Sequence, residues 1–378
     1  MFVNKLRNCL TGIVSLVSFF WAGTAAADWK LNLTQGVTPI SRQVYDLHML
    51  ILWIVTIIGI GVFGVIFWSI YYHRKSRGAV PAQFHHSTVA EFTWTIIPIL
   101  ILVGMAIPAT KTLVMMEQTG DADITVKITG YQWKWKYDYK NEGIGFYSSL
   151  AQDSSKASAL RSNIDPGTVS NYLLDVDKPL VLPVNKKVRL LTTAHDVIHA
   201  WWVPDLGWKR DAIPGYINDN WAIIEKPGVY RGQCTELCGI GHGYMPIVVK
   251  AVPEKEYLAW VEETKLAQAA AAGDSDKEWS ADELKAKGEE VYKNTCAVCH
   301  QANGQGVPGT FPALDGSAIV NGALADHIDR VVHGKNLMPA FGGQLSDTDI
   351  AAVITYERNT WGNHTGDAAQ PKDVKAGR

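Results

Sequence analysis

Four of the five cysteines fall in two tight pairs, Cys234 with Cys238 and Cys296 with Cys299. Spacing this close suggests attachment of a metal or cofactor before a disulfide framework. The second pair lies in Cys296-Ala297-Val298-Cys299-His300. C-x-x-C-H is the attachment signature of c-type haem: two thiols add to the vinyl groups, and the adjoining imidazole is delivered to the iron. A zinc site or a chance match is the bland alternative. The surroundings favour haem, because a helical pattern precedes the motif and Met338 follows it in Asn336-Leu337-Met338-Pro339. A thioether opposite imidazole favours reduced iron and raises its potential. His327 and His333 are the rival sixth ligands.

The first pair belongs to Cys234-x-Glu236-x-Cys238-x-x-x-His242-x-x-Met245. Two thiolates, an imidazole and a thioether are soft donors that suit copper. Zinc fits less well, since its sites favour shorter cysteine spacing and methionine is a poor zinc ligand. A mononuclear blue copper site needs one thiolate, two imidazoles and a weak axial ligand, so this loop has a thiolate to spare. Two thiolates can bridge two copper ions, each of which then needs one imidazole and one weak ligand. The second imidazole must come from outside the loop. His195 and His199 are the candidates; four positions apart, they face one side of a regular strand, and spacing alone does not choose between them.

Two kinds of scaffold must position these groups. From Ile124 to Val252, short runs rich in β-branched and aromatic residues recur: Ile124 to Ile128, Leu180 to Leu182, Val188 to Thr192, Trp221 to Ile224 and Ile247 to Val252. Turn residues separate them, so an all-β sandwich or barrel is expected over 120–264. Residues 140–172 are polar and Ser-rich and read as a surface loop, and a helix is expected at about 254–267. An Ala-rich stretch with Gly, Asp and Ser reads as a linker at 265–280. Ser280 with Glu283 forms a capping box that opens a helix toward Tyr292, and Ser346 with Asp349 opens another through Arg358. Residues 281–362 therefore read as a small all-α domain, and 363–378 as a disordered tail.

Ahead of these lies a membrane anchor. Lys5 and Arg7, an apolar run from Leu10 to Ala22 and Ala25-Ala26-Ala27 read as a signal peptide over 1–27, which would remove the fifth cysteine, Cys9. Met49 to Tyr72 is apolar and free of charge, long enough to cross a hydrocarbon core of roughly 30 Å. A second span is expected over about 92–112, with Pro98 and Pro108 inside it. The short loop between them carries Arg74, Lys75 and Arg77, which places it on the cytoplasmic side. Residues 28–112 thus read as a two-helix transmembrane hairpin, with everything after it exported. The 14 tryptophans suit membrane interfaces and electron-transfer surfaces. A formal net charge of −2 over 378 residues gives no polybasic footprint for nucleic acid.

The run Asp196-Val197-Ile198-His199-Ala200-Trp201, the run Asp211-Ala212-Ile213-Pro214-Gly215 and the loop from Cys234 to Met245 resemble subunit II of haem-copper cytochrome c oxidases over residues 40–262. Residues 281–362 resemble a class I cytochrome c, whose distal loop has the Met-Pro context of Met338. The resemblance implies a multidomain membrane protein: a two-helix hairpin, an all-β cupredoxin barrel and an all-α class I cytochrome c domain. It implies a binuclear copper centre held by His199, Cys234, Cys238, His242, Met245 and the backbone carbonyl of Glu236, with His195 only a neighbour. The Glu236 side chain would reach a magnesium ion at the border with subunit I. For haem c the implied residues are Cys296, Cys299, His300 and Met338.

Gly130-Tyr131-Gln132-Trp133-Lys134-Trp135-Lys136-Tyr137 resembles the family's aromatic stretch beside the copper, and Trp133 matches the tryptophan through which electrons arrive. The bland reading is an ordinary aromatic strand. Lys134 departs from the family pattern, which has tyrosine there. Glu91, which opens the second span, matches the entrance of a proton channel shared with subunit I; a carboxylate favoured by the helix dipole is the plainer reading.

The implied function is electron transfer within a respiratory, proton-translocating cytochrome c oxidase of a bacterial inner membrane. Electrons would pass from an external donor, such as a cytochrome c or a cytochrome bc complex, through haem c and the copper pair to the oxygen-reducing site of subunit I. Subunits I and III are the expected partners, with the cofactor domains on the periplasmic side. A quinol oxidase subunit would share the hairpin and barrel but lack copper ligands. A free-standing, membrane-tethered copper and haem electron carrier is the other alternative.

Overall fold

The computed structural model describes residues 32–378, apart from residues 82, 84, 160–161, 275–276 and 337 and the side chains of 271–273. The expected signal peptide and Cys9 lie outside the described residues. Among the described residues two helices are long and apolar enough to cross a membrane: α1 over Pro39–Tyr72 and α2 over Thr88–Met116. Their apolar side chains, Trp53, Ile60, Val65, Leu100 and Ile107 among them, face outward, as contact with lipid requires.

Both helices are longer than the apolar runs suggested: the first turns of α1 and the last turn of α2 pack on the β domain, and Ser87 caps an exposed extra first turn of α2. Thr38 caps α1 in a capping box with Ser41. The Thr38 hydroxyl also donates to the Leu206 carbonyl at 2.9 Å, and Arg42 grips Glu225 with two hydrogen bonds of 2.6 and 2.7 Å. Gly207, at φ +87, has no room for a side chain: a Cβ there would lie 2.3 Å from the Cα of Ser41. At the end of α2, the Trp221 indole donates to the Met115 carbonyl at 3.2 Å. The hairpin is thereby fixed to the domain that follows it.

That domain has strands β1 (Ile124–Tyr131), β2 (Lys134–Tyr139), β3 (Ile144–Ser148), β4 (Leu180–Pro183), β5 (Lys187–Ala194), β6 (His199–Val203), β7 (Trp208–Ala212), β8 (Asn218–Ile223), β9 (Gly228–Cys234) and β10 (Pro246–Val252). They form two five-stranded sheets, ordered β3-β2-β1-β5-β8 and β4-β10-β9-β6-β7. The β1–β5 and β4–β10 pairs are parallel and the other pairs antiparallel. Alternate residues such as Val126, Ile128, Val188 and Leu190 turn inward, and Trp135, Tyr137 and Trp201 fill the space between the sheets. The surface loop expected over 140–172 is corrected here. It contains β3 and a short helix, α3 (Gln152–Ser158), because pairing with β2 supplies the hydrogen bonds that the polar composition of this stretch does not advertise.

Helix α4 covers Glu254–Gly273. It corrects the coil expected from residue 265 onward. Alanine is the best helix former, and Tyr257 and Val261 bury the helix's first turns against the barrel. Gln268 donates to the Gly145 carbonyl at 2.7 Å, so α4 stays on the barrel beyond the expected domain boundary.

The last domain comprises α5 (Ala281–Val291), α6 (Ala297–His300), α7 (Ala318–Asn321), α8 (Leu324–His333), α9 (Asp347–Arg358) and α10 (Pro371–Ala376). Ser280 caps α5 in the expected box with Glu283, and Ser346 caps α9. Helices α5 and α9 touch at Gly288, where a Cβ would come within 2.0 Å of the Ala352 carbonyl oxygen. The tail expected to be disordered is folded. Asn363 is fully buried and donates to the carbonyls of Leu314 and Glu357 at 3.0 and 2.9 Å. Arg358 pairs with Asp367, and Ala369 and Val374 enter the core. Composition read as polarity missed it, because these polar groups face inward to partners.

Candidate functional site

Cys234 is the last residue of β9 and His199 the first of β6, so adjacent strands bring them together. The loop that follows β9 returns Cys238, His242 and Met245 to the same point before β10 begins. The sulfurs of Cys234 and Cys238 are 3.9 Å apart. Nδ1 of His199 lies 4.0 Å from the Cys234 sulfur, and Nδ1 of His242 lies 3.6 Å from the Cys238 sulfur. The Met245 sulfur is 3.5 Å from Cys238, and the Glu236 carbonyl oxygen is 3.4 Å from Cys234. Each thiol thus has an imidazole and one weaker donor beside it. His199, Cys234, Cys238 and Met245 are all buried.

Elementary electrostatics shows what this cluster suits. Hydrogen bonding from Cys238 pulls the Cys234 thiol down to about 3, while the neighbouring sulfur of Cys234 pushes Cys238 far above the ordinary thiol range. Two buried sulfurs this close cannot both ionise alone. A cation between them would remove that obstacle, and the soft donor set suits copper. The residues therefore fit a binuclear copper centre.

His195 and His199 do not share a face, because the chain bends between β5 and β6 and breaks the strand alternation. His199 is fully buried. His195 is exposed and stacks on Tyr131 with ring centres 4.8 Å apart. Nε2 of His199 is 2.9 Å from the Asp196 carboxylate, which leaves Nδ1 toward the sulfurs. Burial works against a charge on His199, but the bonds to Asp196 and Cys234 outweigh it and raise its pKa. Asp196 is a supporting residue that the sequence reading gave no role; its position three residues before the imidazole is the one signal for it.

Trp133 lies in the turn between β1 and β2. Its indole donates to the Cys238 carbonyl at 3.1 Å, alongside the Gln132 amide at 2.9 Å. Trp133 also packs on Gly241, where a Cβ would meet its ring at 2.3 Å. Trp135 donates to the Met245 carbonyl at 3.2 Å. The aromatic stretch is thus bonded to the metal loop on two sides, which sequence spacing did not reveal for Gln132 and Trp135. Lys134, between the two tryptophans, is buried, and burial pushes its ammonium down to about 8.

In the helical domain a π turn over Tyr292–Cys296 leads into α6, which ends on His300. Nδ1 of His300 is 2.9 Å from the Pro312 carbonyl. That contact requires the proton on Nδ1 and leaves the Nε2 lone pair free for a metal. Burial pushes the thiols of Cys296 and Cys299 up. Neutral thiols beside one imidazole suit covalent addition better than zinc, which needs thiolates. Met338 is half-buried against the domain core, in a tight turn where its amide and carbonyl both bond Lys335 at 3.0 Å. Nε2 of His327 is 2.9 Å from Glu357, both buried, and His333 is exposed and paired with Asp329. The residues present fit haem c. The Glu236 side chain is partly exposed, and Glu91 sits in the first turn of α2.

Comparison with known proteins follows the same division. Residues 26–112 match the family "Cytochrome C oxidase subunit II, transmembrane domain", and residues 124–252 match the periplasmic domain of the same subunit. Residues 270–356 match "Cytochrome C oxidase, cbb3-type, subunit III". The "Probable cytochrome c oxidase subunit 2" of Rickettsia bellii is 38% identical over 262 residues, covering 69% of this chain and 93% of that protein. The "Cytochrome c oxidase subunit 2" of Cereibacter sphaeroides is 37% identical over 283 residues, covering 69% and 92%. The crystal structure of the periplasmic domain of subunit II from Bradyrhizobium japonicum is 41% identical, covers 40% of this chain and 99% of that one, and aligns with a TM-score of 0.34.

Proposed function

The chain belongs to the cytochrome c oxidase subunit II family, and from that premise we propose that it takes electrons from an external donor at its haem domain and hands them through its copper domain to subunit I. The observation that carries this reading is the convergence of two thiols 3.9 Å apart with an imidazole beside each. We assign the copper pair to His199, Cys234, Cys238, His242, Met245 and the Glu236 carbonyl, and haem c to Cys296, Cys299, His300 and Met338. When bound, these groups supply one-electron storage and transfer; the rest is done by the chain.

Asp196 fixes the ring of His199 with its Nε2 bond, so that Nδ1 faces the sulfurs. Gln132, Trp133 and Trp135 hold the metal loop by its carbonyls, which keeps the donors in place when charge changes. The barrel core excludes water from one side of the cluster. Exposed apolar residues adjoin the donors in sequence, Val197 and Ile198 before His199, and Leu237 and Ile240 in the loop. Such a rim suits a membrane partner subunit more than solvent. The Glu236 carboxylate is free to contribute to a magnesium site completed by subunit I. The domains after the hairpin lie on the periplasmic side of a bacterial inner membrane.

The direct test is an electron paramagnetic resonance spectrum of the copper-loaded oxidase. An unpaired electron shared by two copper nuclei splits over both; splitting by a single nucleus rejects the binuclear assignment. For the haem domain, Met338→Ala keeps the covalent haem but loses the thioether ligand. The potential then falls by on the order of 100 mV, within the roughly 0.8 V range that axial ligation spans. Survival of the absorption band near the red edge, which reports thioether bonded to iron, would remove Met338 from the site.

Glu91→Gln tests the proton path. As a helix-terminal charge alone, Glu91 is worth about 0.3–1 kcal/mol and its loss leaves turnover intact. As the mouth of a proton channel, its loss slows steady-state oxygen consumption severalfold with unchanged copper and haem spectra. Normal turnover across pH in the intact complex returns it to capping.

A further inference from the structure

Lys134 is the residue at which the aromatic stretch departs from the family pattern, and it lies where the two cofactor domains of this chain meet. Its Nζ is 5.0 Å from the ring centre of Tyr147 on β3, within its own domain. On the other side it is 5.4 Å from the ring centre of Phe341, which belongs to the core of the haem domain. A cation within about 6 Å of an aromatic face is attracted by the ring quadrupole, most strongly when water is excluded. Lys134 is only 8% exposed and Phe341 9%. Beside this contact the Tyr147 hydroxyl donates to the Gly343 carbonyl at 2.5 Å. The receiving loop is braced from behind: Arg378 bonds the carbonyls of Gly342 and Leu345 and pairs with Asp347.

Both flanks of Lys134 lead to the groups already assigned. Trp133 and Trp135 bond the carbonyls of Cys238 and Met245. On the haem side, Lys134 lies near Cys296 of the haem motif.

We propose that Lys134 and Tyr147 form a seat for the chain's own haem domain, with the 341–343 loop as its occupant, and that Lys134 is a positioning residue that holds the haem attachment site against the Trp133–Trp135 stretch. The seat rests on the electron route proposed above and adds to it the contact that sets the distance between the two centres. It also gives the departure from the family pattern a purpose. A tyrosine at this position presents a ring, whereas a lysine presents a cation to the Phe341 face. With the haem domain seated, this part of the copper domain is covered by the chain itself, and a soluble donor must dock on the haem domain.

The test has a structural and a kinetic arm, both on the intact oxidase. In acetylation followed by mass spectrometry, Lys134 reacts roughly tenfold or more slowly than the exposed Lys140, because it reacts only when the domains part. Phe341→Ala, checked by its haem spectrum for a folded haem domain, abolishes that protection. Equal rates at the two lysines, or protection that survives Phe341→Ala, overturns the seat. In the kinetic arm, haem c is reduced by a photoexcited ruthenium complex, itself re-reduced by a sacrificial amine, and copper reduction is followed. Lys134→Met slows this transfer roughly tenfold, since small misplacements cost large factors in positioned reactions. Lys134→Arg restores it, and copper and haem spectra are unchanged in both. A wild-type rate in Lys134→Met overturns the positioning role. If the wild-type oxidase shows no transfer from haem to copper at all, the electron route itself is wrong, and the acetylation arm alone then decides whether the seat exists.

Discussion

Cys234→Ser and Cys238→Ser each abolish the delocalised copper signal, as does His199→Ala, whereas His195→Ala leaves it largely intact. The sulfurs lie 3.9 Å apart, each with its own imidazole, so each is placed to serve two ions at once. A serine hydroxyl is a hard, protonated donor at neutral pH and cannot replace a bridging thiolate for copper. Its loss removes the bridge rather than weakening it, and the expected outcome is disappearance of the shared-electron spectrum. His199 is buried between Asp196 and Cys234. Removing its ring deletes a donor and one of three hydrogen bonds to the Asp196 carboxylate, which keeps those from the Gln132 and Val197 amides. His195 is exposed against Tyr131, so its loss costs a surface stack only. The comparison is read from the near-infrared absorption and paramagnetic resonance of the purified oxidase. An unchanged spectrum in His199→Ala refutes the ligand set.

How much of this was legible beforehand follows from how local each feature is. The metal loop is contained between Cys234 and Met245, and the haem motif between Cys296 and His300, so residue type and spacing suggest both candidates. The choice of His199 over His195 was not local. It depends on a bend between β5 and β6 that no alternation rule anticipates. The roles of Gln132, Trp135 and Pro312 are hydrogen bonds to carbonyls distant in sequence, and carbonyls carry no residue-type signal. Lys134 could be seen only as a departure, because its partner Phe341 lies in another domain. The three corrections share one cause. A polar loop, an Ala-rich stretch and a polar tail invite a reading by composition, yet β3 pairs with β2, alanine favours helix, and Asn363 and Arg358 turn their polarity to buried partners.

The helix that replaces the expected coil changes how the fused haem works, and so sharpens its test. A free coil would let the haem domain search around the copper domain at an effective concentration on the order of millimolar. Here α4 is fixed to the barrel by Tyr257, Val261 and Gln268, so the tether leaves from a set point and the search is narrower still. Ending the chain after Gly273 keeps that helix, the hairpin and the copper ligands. Copper reduction by the natural donor then becomes bimolecular. With micromolar donor against a millimolar effective concentration, the rate falls roughly 100- to 1,000-fold. It also becomes proportional to donor concentration, and it becomes sensitive to salt if charge steers the encounter. The intact oxidase shows neither dependence at the copper step, because its donor for that step is covalently attached. The measurement is stopped-flow reduction of the copper centre in the shortened and intact oxidases, with oxygen consumption followed alongside. Full-rate oxygen consumption by the shortened oxidase with the same donor would make the fused haem a side branch, since electrons would then reach copper equally well without it.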